Sequence, residues 1–86
     1  MNETLTLNDG TVLEKSDAHE SVDRLFIYVR SGLSMRKVFD LLDDPEKTET
    51  IVKVQYSQTT VYTGYNRLIA LTDEGDGLIT ATMRKA

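Results

Sequence analysis

The chain has no cysteine, no tryptophan and one proline. Without thiols it can form no disulfide, no thiolate zinc site and no cysteine nucleophile, a composition that suits a reducing cytoplasm. No apolar run approaches the ~20 residues that a membrane-crossing helix needs. The first ten residues, MNETLTLNDG, carry neither a basic segment nor an apolar signal core, so a soluble chain acting where it is made is expected. Concentrated positive charge is also missing. Ten basic and fourteen acidic side chains leave a formal charge of −4. The basic residues (Lys15, Arg24, Arg30, Arg36, Lys37, Lys47, Lys53, Arg67, Arg84, Lys85) lie scattered along the chain. That dispersion argues against nucleic acid as a partner, because phosphate recognition needs cations gathered together.

What is present describes one globular domain, residues 1–86. Apolar residues make up 40% and charged residues 28%, far from the composition of disordered chains. The most helix-like stretch is SMRKVFDLLDDPEKT, from Ser34 to Thr48. Met35, Val38, Phe39 and Leu42 fall at i, i+3, i+4 and i+7 and form one apolar stripe, with Phe39 expected deepest. Ser34 is placed to cap the first turn, and Gly32 lets the chain change direction before it. Proline disfavours helical geometry in the residue before it, so the helix should yield at Asp44-Pro45. Asp44 can then cap a short second turn with Pro45 at its first position.

Both flanks read as strands. Leu5 and Leu7, then Thr11, Val12 and Leu13, surround Asn8-Asp9-Gly10, a hairpin signal because Asp and Gly tolerate positive φ. Ser16 to Asp23 is polar and reads as a loop or as a continuation of the second strand. Arg24 to Arg30 (RLFIYVR) reads as a central strand, with Leu25, Ile27 and Val29 on one face and Phe26 and Tyr28 on the other. Ile51 to Ser57 alternates, and a turn is expected at Ser57-Gln58-Thr59. Thr60 to Thr72 is too long for one simple strand, and Gly64 and Asn66 mark a bend inside it. A turn over Asp73 to Gly77 leads to a last strand from Leu78 to Arg84.

The resulting expectation is an α+β fold of order β-β-β-α-β-β-β. Its mainly antiparallel, five- or six-stranded sheet carries one helix on a face. One short helix cannot cover such a sheet, yet three strands are apolar on both faces. Either the sheet curls to bury its second face, or a partner covers that face; curling is the preferred reading.

Chemistry is harder to find. His19, beside Asp17 and Glu20, lacks the further ligands a metal site requires and reads as a polar loop residue. Asp73, Glu74 and Asp76 lack the calcium-loop pattern. Asp40, Asp43, Asp44, Glu46 and Glu49 form an acidic stretch at the wrong end of the helix for its dipole, a hint of a basic partner. No catalytic residue, cofactor or metal ligand is therefore assigned. Tyrosine suits both half-buried sheet positions and interfaces. Tyr56 reads as rimming the core, whereas Tyr62 and Tyr65, flanking the bend, are the leading interface candidates, with Tyr28 a third.

The segments SMRKVFDLLDDPEKTETI, VYTGYNRLIAL and LITATMRK resemble small uncharacterised proteins encoded in bacterial prophages. The helix end Asp44-Pro45-Glu46 and the Y-x-G-Y element Tyr62, Gly64 and Tyr65 carry the resemblance, over about the last two-thirds of the chain. It implies a phage origin, a place in the host cytoplasm or in a phage particle, and a role near particle assembly, with no catalytic residues. The functional expectation is thus a non-enzymatic protein-interaction module, acting through a protein partner or self-association. An acidic inhibitor of a host enzyme and a small ligand-binding domain are the alternatives.

Overall fold

The computed structural model describes residues 3–85. Its eight strands are β1 (Thr4–Thr6), β2 (Val12–Glu14), β3 (Ser16–Ser21), β4 (Arg24–Val29), β5 (Thr50–Gln55), β6 (Gln58–Thr63), β7 (Arg67–Gly75) and β8 (Leu78–Arg84). Two helices, α1 (Met35–Leu42) and α2 (Pro45–Thr48), connect β4 to β5. Two four-stranded sheets form, in the orders β2-β1-β5-β6 and β3-β4-β8-β7. Every pairing in them is antiparallel. We call them the first and the second sheet.

A single curled sheet of five or six strands is therefore not what forms. The expectation fails at two joints. Lys15 (φ 54) kinks the chain between β2 and β3, and Gly64 (φ 81) lies between β6 and β7. At each joint the chain leaves the first sheet and enters the second, so what looks like one long strand is two strands in different layers. The opposing sheet buries the inner face of the strands that are apolar on both sides, while the apolar residues of their other face stay at the surface, Tyr28 at 39% and Ile69 at 46% exposure. Leu5, Leu13 and Ile51 from the first sheet meet Leu25, Ile27, Val29, Ile79, Ala81 and Met83 from the second in one buried cluster. Side chains of this kind contribute roughly 1.5–3 kcal/mol each when fully buried.

The strand from Arg24 is central, between β3 and β8, with Leu25, Ile27 and Val29 buried and Tyr28 at the surface. The Asp9-Gly10 hairpin joins β1 to β2, with the Thr11 N–H donating to the Asp9 carboxylate at 3.0 Å. The closing turn narrows to Asp76-Gly77, both at positive φ, while Asp73 to Gly75 belong to β7. Two hairpin turns use residues that rarely take positive φ: Val22 (φ 57) between β3 and β4, and Tyr56-Ser57 (φ 53 and 64) between β5 and β6. The latter sits one to two residues earlier than the expected Ser57-Gln58-Thr59 turn. It leaves Tyr56 63% exposed instead of rimming the core.

Helix capping follows the sequence closely. The Lys37 N–H donates to Ser34 Oγ at 3.2 Å, and the Glu46 N–H donates to Asp44 Oδ1 at 3.0 Å. The buried stripe does not follow it. Val38, Leu41 and Leu42 enter the core, whereas Phe39 remains 41% exposed. Leu41 extends a second series, Met35-Val38-Leu41-Leu42, and burying that series rotates Phe39 to the margin, beside Leu68 to Leu71 of β7. No helix among the described residues is long and apolar enough to cross a membrane.

Candidate interaction surfaces

The bend after β6 decides where two of the three candidate tyrosines go. Turning from one sheet to the other carries the chain over the core, and the tyrosines on either side of Gly64 point inward. Tyr65 is fully buried and Tyr62 is 8% exposed. Neither is presented outward, which corrects their reading as an exposed interface. The Tyr65 hydroxyl donates to the Glu20 carboxylate, and the Lys85 ammonium lies 5.3 Å from its ring centroid. Burial, reinforced by the neighbouring Glu20, pushes the Tyr65 phenol up to about 12. Tyr62 lies opposite Ile51 on the inner face of β6, and its hydroxyl donates to the Ala18 carbonyl at 3.4 Å. Tyr28 is the one candidate that stays at the surface, 39% exposed on the outer face of the second sheet.

The same Ala18 carbonyl also accepts from Lys53 Nζ at 3.0 Å. Lys53 stands on β5 directly opposite Leu5, so its side chain faces the second sheet, where it pairs with Asp17 Oδ1 at 2.7 Å. The hydrogen bond to Asp17 holds the ammonium above its ordinary pKa. A lysine kept protonated in this way is no nucleophile; it ties the two sheets together. Gln55 Nε2 donates to Glu3 Oε1 at 2.8 Å nearby. A shallow groove of about 260 Å³ lies beside this clamp, lined by Glu3, Lys15, Asp17, Tyr28, Arg30 and Leu78.

His19 is not in a loop: it is exposed on edge strand β3, opposite Phe26. Among the described residues no three His, Cys, Asp or Glu side chains are gathered as a metal site would require. Much of the acidic stretch is engaged structurally. Asp44 caps α2, Asp40 pairs with Arg36 at 3.3 Å, and Glu49 accepts from Asn66 Nδ2 at 3.2 Å. Asp73 accepts from the Gly75 N–H at 2.9 Å and shapes its own turn.

Registering the strands exposes a surface that sequence reading did not find. On the outer face of the first sheet, Val12, Thr6, Val52 and Val61 stand side by side across all four strands. The next row is Glu14, Thr4, Val54 and Thr59, and Thr50 faces Thr63 beyond it. Only Glu14 is charged. Val12, Val54 and Val61 are 53%, 36% and 55% exposed. The signal was available in principle as alternation of Val and Thr, but it becomes a surface only once the partners of β1 and β5 are known.

The free edges differ in how they are guarded. Sheet edges are commonly blunted by shortness, charge, proline or bulges. Strand β2 is three residues long and ends at the Lys15 kink. Strand β3 carries Asp17, His19 and Glu20, and β7 carries Arg67, Asp73 and Glu74 together with two register irregularities. Strand β6, Gln58–Thr63, has none of these devices: its sequence QTTVYT is uncharged, proline-free and regularly paired. All of it but Tyr62 is exposed, including Thr60 on the inner face. Among the described residues, no backbone hydrogen bond outside the first sheet engages Gln58–Thr63. Compared with models of known protein families, with curated proteins and with solved structures, the chain matches none.

Proposed function

We propose that this protein is a non-enzymatic interaction module whose partner is a second copy of itself, joined by antiparallel pairing of the two β6 edges. What supports this reading is the one unguarded edge in an otherwise guarded pair of sheets. An exposed strand offers a row of unpaired N–H and C=O groups, and uncharged Thr, Val and Gln side chains place no like charges against each other. Pairing about a twofold axis is self-complementary, so one surface serves both copies. The joined first sheets would extend the Val/Thr face across the dimer. A structural or assembly accessory of a phage is the narrower form of the proposal, and the resemblance to prophage proteins is what supports it.

The test is sedimentation velocity over a range of concentrations. The wild-type chain should approach twice the 9.7 kDa of one copy. Val61→Lys with Thr59→Lys puts two charges on the outer side of β6 and should yield a folded monomer with an unchanged circular-dichroism spectrum. A wild-type mass that stays at 9.7 kDa at the highest attainable concentration contradicts the reading.

A further inference from the structure

The ten basic residues are dispersed in the sequence, but strand register gathers three of them. Arg24 on β4 lies directly opposite Arg84 on β8, and Arg84 lies directly opposite Arg67 on β7. Residues directly opposite in antiparallel strands project on the same face, with Cβ atoms about 4.5–5.5 Å apart. The face is the outer one, because the neighbouring Leu25 and Met83 are fully buried and Leu68 packs against the core. Like charges so placed repel each other, and a sheet has no structural need for three cations abreast. Arg24 has Asp23 at 2.8 Å, but Arg84 Nε is buried with no hydrogen-bond partner among the described residues.

Each of the next two rows carries a ring on β4, the partly exposed Phe26 and then Tyr28. His19, Phe26, Thr82 and Ala70 form the next row, and Asp17, Tyr28, Thr80 and Thr72 the one after. His19 is exposed and Tyr28 is 39% exposed. The acid in these rows, Asp17, is already occupied by Lys53. Cations that track a phosphate backbone, next to rings on which bases stack, are the two elements of single-stranded nucleic acid recognition on a sheet. We infer that the outer face of the second sheet binds a short stretch of single-stranded nucleic acid, its phosphates on Arg24, Arg84 and Arg67 and its bases over Phe26 and Tyr28. An acidic protein segment would use the arginines but would leave the rings without a role. The acids of the helical region, Asp40 to Glu49, lie on other elements, and of those nearest the arginine row Asp23 is paired with Arg24.

The experiment is fluorescence anisotropy with a labelled oligothymidylate of about 12 nucleotides, long enough to cross one sheet face. Binding at about 50 mM salt should weaken steeply as salt rises. Arg67→Gln, at an exposed edge position, should reduce affinity several-fold and lower the salt slope by about one while the circular-dichroism spectrum is unchanged. Phe26→Leu should weaken binding and leave the salt slope as it is. Three results overturn the inference: no anisotropy change at low salt, equal affinity for a duplex of the same length, or tighter binding of a poly-glutamate peptide. The last would assign the arginine row to an acidic protein segment.

Discussion

Tyr65 and Lys53 show how single residues hold the two sheets in place. Each is a polar group led into a mostly apolar layer and given a specific partner, Glu20 for the phenol and Asp17 for the ammonium. A buried polar group left without such a partner would destabilise the fold by ~1–3 kcal/mol. Both partnerships shape behaviour at alkaline pH. Below about pH 10 a tyrosine phenol is protonated whether the chain is folded or not, and pH has no leverage through it. Above that, the unfolded chain releases the Tyr65 proton near its ordinary 10.0, whereas the folded chain keeps it until about 12. The unfolded state then binds fewer protons, so stability falls as pH rises through this window. Lys53 acts in the same direction: its pKa is raised by folding from 10.5, so its contribution is complete below that value and is lost as pH climbs through the folded one. The denaturation midpoint is expected to drop between pH 10 and 12, and to drop less steeply in Tyr65→Phe. Equal slopes in the two proteins would remove Tyr65 as a cause.

At the scale of elements, α1 illustrates how a correct boundary can accompany a wrong rotation. Ser34 and Asp44 accept from amides within three residues and Pro45 restricts the residue before it, so these local signals let the helix ends be read from the chain alone. Which side of the helix is buried depends on what it lies against. Both Met35-Val38-Phe39-Leu42 and Met35-Val38-Leu41-Leu42 are legitimate stripes at helical spacing. The fold buries the second and leaves Phe39 beside β7. Leu42→Ala, which empties a fully buried position, should cost about 2–5 kcal/mol. Phe39→Ala should cost only about 1–2 kcal/mol, because much of the ring is already in water. Urea denaturation of both variants checks the order, and a larger loss for Phe39→Ala would mean that the helix sits rotated from the orientation described. Turns follow a similar logic. Asp9-Gly10 and Asp76-Gly77 announce themselves because those residues accept positive φ. Lys15, Val22 and Tyr56-Ser57 do not, and it was their positive φ that hid the strand boundaries beside them.

For the molecule as a whole, the faces of clear strands such as Arg24–Val29 were legible, whereas the number of strands, eight where six were expected, and which strand meets which were not. RLFIYVR shows its two faces in its own alternation, and it is a central strand. Nothing within a strand states its neighbour, so the partition into two sheets could not be read, and the surfaces that depend on it were invisible. Tyr62 and Tyr65 looked like interface residues because a bend erases alternation; the bend in fact crosses between sheets and turns them inward. The Val/Thr face, the three arginines and the bare edge of β6 all emerge from register. Function is then a question of edges and faces, and β6 is where the account commits itself. The most direct measurement is amide hydrogen exchange followed residue by residue at low and high protein concentration. If two copies pair through β6, amides within Gln58–Thr63 that exchange quickly in dilute solution should become protected as concentration rises, while the edge strands β3 and β7 should not change. Exchange in β6 that is independent of concentration, or protection that grows on β3 or β7 instead, would contradict it.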